Sequence, residues 1–177
     1  MDPQTTHMHS GKDDHHRYAA DKPPAKITLI TVSDSRTPET DTNGIFLKNQ
    51  LEQNNLKLVA YHVIKDEPLE LDALLDDIVA SEVDLVLLNG GTGISKRDST
   101  FDVVSKKLEK VLPGFGEIFR MLSYEQIGAA AMFSRATAGV YKGKVIISMP
   151  GSPAAVQLAW EKLILPEIQH LVWELNR

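Results

Sequence analysis

The feature that most constrains this chain is the run from Val83 to Leu88, which carries no polar side chain after Asp84. It breaks into Gly90, Gly91, Thr92 and Gly93, then continues through Ser95, Lys96 and Arg97 to Asp98. A short apolar run bounded by glycines reads as a strand buried on both faces of a sheet. A strand that enters a glycine turn and then a helix presents backbone N–H groups at the carboxyl edge of that sheet. Anionic ligands bind there in open α/β folds. One stretch therefore asks for both a parallel sheet and an anion-holding edge.

The rest of the chain supplies the partners such a strand needs. Ile27 to Val32 is continuous and β-branched, and predicts another buried strand; Leu56 to Ile64 predicts a third. A helix is expected from about Asn43 to Asn54. Leu71, Leu74, Leu75, Ile78 and Val79 fall at helical spacing and form one apolar stripe. Beyond the glycines, Thr100 is positioned to cap a helix whose inner face is Phe101, Val104, Leu108 and Val111. A further helix is expected from about Phe115 to Gln126, whereas Ile127 to Ser134 is too short to assign. Lys142-Gly143 predicts a two-residue hairpin turn between Ala136–Tyr141 and Lys144–Met149. Pro153 suits the first turn of a helix with core stripe Val156, Ala159, Trp160, Leu163 and Ile164, and Ile168 to Leu175 repeats the pattern. Strands alternating with amphipathic helices predict a three-layer α/β/α fold, its mostly parallel sheet carrying one antiparallel strand.

Residues 1–25 contain His7, His9, His15 and His16 with little apolar content, and are expected to form a disordered arm. Residues 26–177 are expected to form one domain. No apolar run approaches the roughly 20 residues that span a bilayer, and no signal-peptide core follows the early charges. The absence of cysteine removes disulfides and thiolate chemistry and agrees with a cytoplasmic setting. A net charge of −5 speaks against a nucleic-acid partner.

The glycine loop matches neither a Walker A loop nor a dinucleotide fingerprint, because Lys96 stands where a third glycine would be needed. Taken alone it is a strand-to-helix turn needing positive φ, with Asp98 as a helix-start carboxylate. Position adds weight. If the first three strands are parallel neighbours, the turns at Ser33-Asp34, Asp66 and Gly90–Asp98 share one edge. Pro150, Gly151 and Ser152 join them if their strand is parallel too. Such a cleft suits phosphate groups: backbone amides hold the oxygens, Lys96, Arg97 and Arg135 offset charge, and carboxylates hold Mg²⁺. His62 and His170, the histidines outside the arm, fall in a strand and a terminal helix, where a surface or core role is the simpler reading.

The segment Asn89 to Thr100 resembles the signature of the MoaB/MogA molybdenum-cofactor biosynthesis proteins, which are similar to the molybdopterin-binding domain of gephyrin. Ser33–Arg36, Asp66-Glu67, Pro113–Glu117, Ser134-Arg135 and Pro150–Pro153 match in order, and Phe119 to Gly128 resembles the MoaB branch. The resemblance implies the molybdopterin-binding fold, a homotrimer or homohexamer, and work beside other cofactor-biosynthesis proteins. It implies adenylylation of molybdopterin with Mg-ATP and release of pyrophosphate. Two essential aspartates of the family fall on Asp66 and Asp98. Pterin and phosphate contacts fall on the glycine loop, the Ser134 region and the Pro150 turn. Some MoaB-branch proteins lack one aspartate and the activity with it; this chain keeps both.

A phosphate monoester is mostly dianionic at neutral pH, with a second pKa of about 6, so it needs no general base to attack. The aspartates are therefore expected to act through Mg²⁺ and not as proton acceptors. Two rival readings stay open at this point. One is a non-catalytic pterin-binding protein of the same fold. The other is a flavodoxin-like carrier using Ser33–Thr37, which lacks the usual glycine.

Overall fold

The computed structural model describes residues 22–177. The arm proposed for residues 1–25, with its four histidines, lies outside the described residues as far as residue 21. From Pro23 onward the chain is attached to the fold. Gln169 donates to Pro23 O at 3.2 Å and accepts from Ala25 N at 2.8 Å, and Ala25 is buried.

The elements are β1 (Lys26–Val32), α1 (Thr42–Gln53), β2 (Lys57–Ile64), α2 (Pro68–Val79), β3 (Leu85–Asn89) and α3 (Thr100–Lys107). There follow β4 (Lys110–Val111), α4 (Pro113–Ile127), a 3₁₀ segment (Gly128–Phe133), β5 (Thr137–Tyr141) and β6 (Lys144–Met149). The chain ends with α5 (Pro153–Ala159), one π-helical stretch (Trp160–Ile164) and α6 (Leu165–Asn176). The six strands form one sheet in the order β2-β1-β3-β6-β5-β4. β2, β1, β3 and β6 run parallel, while β5 is antiparallel to both β6 and β4.

Alternation along the central strands divides the interior in two, because successive side chains point to opposite faces. Ile27, Leu29, Leu85, Leu87, Val145 and Ile147 pack with Leu47 and Leu51 of α1, Phe119 of α4, Val156 of α5, and Trp160. Ile30, Val32, Val86, Leu88 and Ile146 pack on the other face with Leu71 and Leu75 of α2 and with Val103 and Val104 of α3. Trp160 is fully buried, and its indole N–H donates to Gln50 Oε1 at 2.9 Å. This is the three-layer arrangement expected from the strand and helix pattern. The predicted hairpin turn is also present: Lys142 and Gly143 have φ of 47° and 73°, the two left-handed residues of a type I′ turn. Among the described residues no helix is long and apolar enough to cross a membrane.

Two local expectations are corrected. The helix after the glycine loop does not continue to Val111. Leu108 leaves helical geometry with ψ of 119°, and Lys110-Val111 pairs with Val140 and Gly139 as an edge strand. Val111 is therefore exposed rather than core. Thr100 does not cap that helix either. Ser99 occupies the cap position, but its side chain accepts no bond from the helix; its N–H, at 3.2 Å, and its hydroxyl donate to Asp66 of a different loop.

On the face away from the strand C-termini, Asp76 of α2 collects three donors. One carboxylate oxygen accepts from Tyr141 Oη and from Lys142 Nζ at 2.9 Å; the other accepts from Lys107 Nζ at 3.0 Å, which also reaches Asp72. The Tyr141 bond first, then Lys142 and Lys107, hold the Asp76 carboxyl well below the usual carboxylate range. Lys142 is pushed up to about 12 by the same contact. A carboxyl whose folded pKa is depressed stabilises the fold above its unfolded pKa of about 3.9 and loses that contribution as pH falls further. Asp76→Asn is therefore expected to lower the urea midpoint at pH 7, and the gap from the parent chain should narrow at pH 3 and go on narrowing as pH falls toward the depressed folded pKa. An equal gap at both pH values would contradict this assignment.

Candidate functional site

Because β1, β2, β3 and β6 are parallel, Ser33, Lys65-Asp66, Gly90 and Pro150 all leave the sheet at one edge. The condition attached to the Pro150 turn is met. β3 lies between β1 and β6, so its turn is pressed from both sides. Gly90 has φ of 104°, and a Cβ on it would run into the backbone carbonyl of Val32 at the end of β1. From the other side a Cβ on Gly151 would stand 3.0 Å from the Cα of Gly90. Gly90 N donates to Met149 O at 3.1 Å, tying the turn to the end of β6. Glycine is required at 90 by conformation and by crowding together.

These turns open on a cleft of about 340 Å³. Gly90, Gly91, Thr92, Gly93, Asp98, Ser134, Pro150, Gly151 and Ser152 line it, as does an apolar wall that includes Phe119, Ile127, Ala131 and Phe133. The lining is thus of two kinds, backbone amides with a carboxylate and apolar side chains. The remaining residues assigned from sequence stand around the cleft and do not line it. Ser33 Oγ accepts from the N–H groups of Ser35 and Arg36, both at 3.3 Å, and shapes the first loop. Asp34 accepts from Asp66 N at 3.3 Å, which joins the first and second loops.

The two aspartates hold different parts of the loop. Asp98 Oδ2 accepts from Ser95 N at 2.8 Å and lies against Gly93, so the carboxylate folds back over its own turn. Asp66 Oδ1 accepts from both the N–H and the hydroxyl of Ser99 at the start of α3, where a helix N-terminus favours negative charge. Its other oxygen crowds Gly91, at φ 61°, beside the hydroxyl of Thr100. That hydroxyl is buried and has no hydrogen-bond partner among the described residues.

The cations are less available than their sequence positions imply. Arg97 forks onto Asp34 at 3.0 and 3.1 Å and reaches Glu67 at 3.3 Å. Arg135 Nη1 donates to both carboxylate oxygens of Asp102 at 3.1 and 3.2 Å, while its Nε and Nη2 donate to the carbonyls of Thr92 at 3.2 Å and Asp98 at 2.9 Å. Both guanidinium groups brace loops through carboxylates and backbone. Lys96 is exposed and has no ion pair among the described residues, so it is the loop cation free to meet a ligand.

A buried polar chain beneath the turn is absent from the sequence reading. Asn43 Nδ2 donates to Asn89 Oδ1 and to Gly151 O, both at 2.8 Å. Asn89 donates in turn to Thr31 Oγ1 at 2.9 Å, and Thr31 donates to Asp41 at 2.6 Å. Tyr61 donates to the same Asp41 oxygen at 2.7 Å. Burial first, then this bond, push the Tyr61 phenol up, so it remains a donor. The chain links β2, β1 and β3 to the Gly151 turn and fixes the spacing of the two glycine turns. Its one sequence signal is polar residues, Thr31 and Asn89, inside otherwise apolar strands.

Among the described residues no group of three or more His, Cys, Asp or Glu could hold a metal alone. Mg²⁺ commonly uses one or two protein carboxylates and completes its shell with substrate phosphates and water. Asp98 in the cleft lining and Asp66 against the neighbouring Gly91, with the Thr100 hydroxyl close to Asp66, are oxygen donors of the kind that a Mg²⁺ arriving with phosphates takes.

A family model described as "Probable molybdopterin binding domain" matches residues 28–170. The chain is 49% identical over 157 residues to "Molybdenum cofactor biosynthesis protein B" of Bacillus subtilis, covering 86% of this chain and 91% of that protein. A solved structure of a molybdenum cofactor biosynthesis protein B superposes with a TM-score of 0.85 at 46% identity, covering 88% of this chain and 99% of the other. The tungsten cofactor synthesizing protein MoaB of Pyrococcus furiosus superposes with a TM-score of 0.80 at 33% identity, with the same coverage of 88% and 99%. Fold, glycine turn and relatives agree, and the chain belongs to the MoaB/MogA family of molybdenum cofactor biosynthesis proteins.

Proposed function

We propose that this protein binds molybdopterin in the cleft and adenylylates its terminal phosphate with ATP, releasing pyrophosphate. The observation that carries this reading is a cleft lined both by the glycine turn with Asp98 and by apolar side chains. A pterin that is flat at one end and phosphorylated at the other matches that division.

The pterin phosphate oxygen attacks the α-phosphorus of ATP. The bond from that phosphorus to the bridging oxygen breaks, and its electrons leave with pyrophosphate. The attacking monoester is already mostly dianionic, with a second pKa of about 6, so no side chain has to take a proton. The protein's task is to hold two polyanions in line. In this reading the Gly90–Gly93 amides hold the pterin phosphate, and Lys96 offsets charge. Asp66 and Asp98 would hold Mg²⁺, which when bound neutralises the phosphates as they approach. Arg97 and Arg135 keep the loop shaped through Asp34 and Asp102.

The reading includes a single domain over residues 26–177 in the cytoplasm, working beside other cofactor-biosynthesis proteins. It also includes a homotrimer or homohexamer. Met121, Tyr124 and Ile127 of α4, with Met132 and Phe133, form exposed apolar surface that assembly would cover.

The purified chain mixed with molybdopterin and Mg-ATP is expected to release one pyrophosphate per pterin consumed. Pterin binding without pyrophosphate release would replace this conclusion with a non-catalytic carrier of the same fold.

A further inference from the structure

A second groove, about 270 Å³, lies beside the cleft and shares Ser134 with it. Its walls include Gly116, Glu117 and Arg120 of α4 and Ser134, Arg135 and Thr137 from the approach to β5. The segment Pro113–Glu117, singled out in the sequence, thus faces this groove and has no part in the cleft chemistry.

Its charges are unevenly committed. Arg135 is met by Asp102, and its other N–H groups go to carbonyls. Arg120 has no acidic partner among the described residues; its one hydrogen bond is a long 3.5 Å contact to Ser134 O. Its side chain runs back toward the start of α4, as helical side chains do. The guanidinium nitrogens lie 3.0 and 3.2 Å from where a Cβ on Gly116 would stand. Glycine at 116 therefore makes room for an unpaired guanidinium over the helix surface. Ser134 Oγ accepts from Ala136 N at 3.3 Å, which leaves its own proton free to donate. Thr137 is 9% exposed, and its hydroxyl makes no hydrogen bond among the described residues. Three residues that carry these donors line one groove, together with Glu117, which is exposed.

We propose that this groove is an oxyanion subsite for a pyrophosphate-sized group, held by the Arg120 guanidinium with the hydroxyls of Ser134 and Thr137. A planar guanidinium grips phosphate oxygens through two parallel N–H bonds, which suits a diphosphate better than a carboxylate-lined groove would. The subsite rests on the adenylyl-transfer reading for its use in turnover, where it would receive the phosphates that leave; its ability to bind does not depend on that reading.

The test is calorimetric titration of the full chain with inorganic pyrophosphate at low ionic strength, with ADP as a second probe. Arg120→Ala is expected to weaken pyrophosphate about tenfold or more. Arg120→Lys should fall between the two, since lysine keeps the charge and loses the fork. A parallel loss for ADP assigns the groove to a nucleotide's phosphate tail, and a loss for pyrophosphate alone assigns it to the free ion. If the parent chain does not bind pyrophosphate, or Arg120→Ala binds it equally well, the subsite is refuted. A missing pyrophosphate release in the turnover assay would sink the adenylyl reading and leave this binding result standing.

Discussion

Asp98→Asn is expected to lower pyrophosphate release about a thousandfold or more, while molybdopterin still binds within a few-fold of the parent chain. The structure explains why this substitution separates charge from shape. Asp98 Oδ2 accepts from Ser95 N at 2.8 Å, and an asparagine amide oxygen can accept the same bond. The turn over Gly93 therefore survives, and with it the amides that face the cleft. What disappears is the negative charge and one of the two carboxylates able to hold Mg²⁺ against the phosphates. Loss of one preorganised electrostatic group costs about 10²–10³ in rate, and removing a metal ligand adds to it. A thousandfold corresponds to about 4 kcal/mol of transition-state stabilisation. Rates of pyrophosphate release, compared with equilibrium binding of the pterin, read the two effects apart. A variant that loses pterin binding and turnover together would show that Asp98 positions the pterin directly, and the metal-ligand role would fall.

Much of the frame is legible in the chain because its strands are short, apolar and bounded by glycine or proline. Val83 to Leu88 and Val145 to Met149 carry enough hydrophobic residues to be buried on both faces, and both are central strands. Lys142-Gly143 is visible because a two-residue hairpin needs positive φ and few residues supply it. β4 is not visible. Two residues give no periodicity, and Val111 falls in phase with the helix before it, so only pairing with β5 defines it.

At the site, the glycine turns and aspartates are legible, whereas the use of the charges is not. Arg97 stands next to Asp98 in sequence and reads as a phosphate ligand, yet its partner is Asp34, 63 positions away. Arg135 reads the same way and closes on Asp102. Carboxylates that arrive through tertiary contacts decide which cations remain free, and local sequence carries no record of them. The Asn43–Asn89–Thr31–Asp41 chain is hidden for the same reason. Asn43 and Gly151 lie 108 positions apart, so the contact that spaces the two turns exists only after β6 docks beside β3.

That spacing leads to the second large effect, Gly90→Ala, which is expected to lower the melting temperature by about 10 °C or more or to prevent soluble expression. Three of the four glycines with positive φ among the described residues, Gly90, Gly91 and Gly143, differ in surroundings, and they separate strain from crowding. At Gly143 a Cβ meets nothing within 4 Å, so Gly143→Ala bears only the left-handed backbone, about 1–2 kcal/mol. At Gly91 the Cβ meets side chains, Asp66 and Thr100, which can rotate aside at the expense of the site. At Gly90 it meets the carbonyl of Val32, which is backbone at the end of a central strand and cannot rotate. Relief would require β1 and β3 to separate where they are hydrogen-bonded through Thr31 and Asn89. Gly151, packed against Gly90 from the opposite side, blocks the retreat of the turn toward β6. Strain and overpacking add, so several kcal/mol are expected, about 3 or more. The measurement is thermal unfolding of Gly90→Ala and Gly143→Ala side by side. Comparable melting temperatures for the two variants would mean that the turn is not wedged between the ends of β1 and β6. A much larger fall at Gly90 identifies that wedge as the element joining the sheet to the cleft.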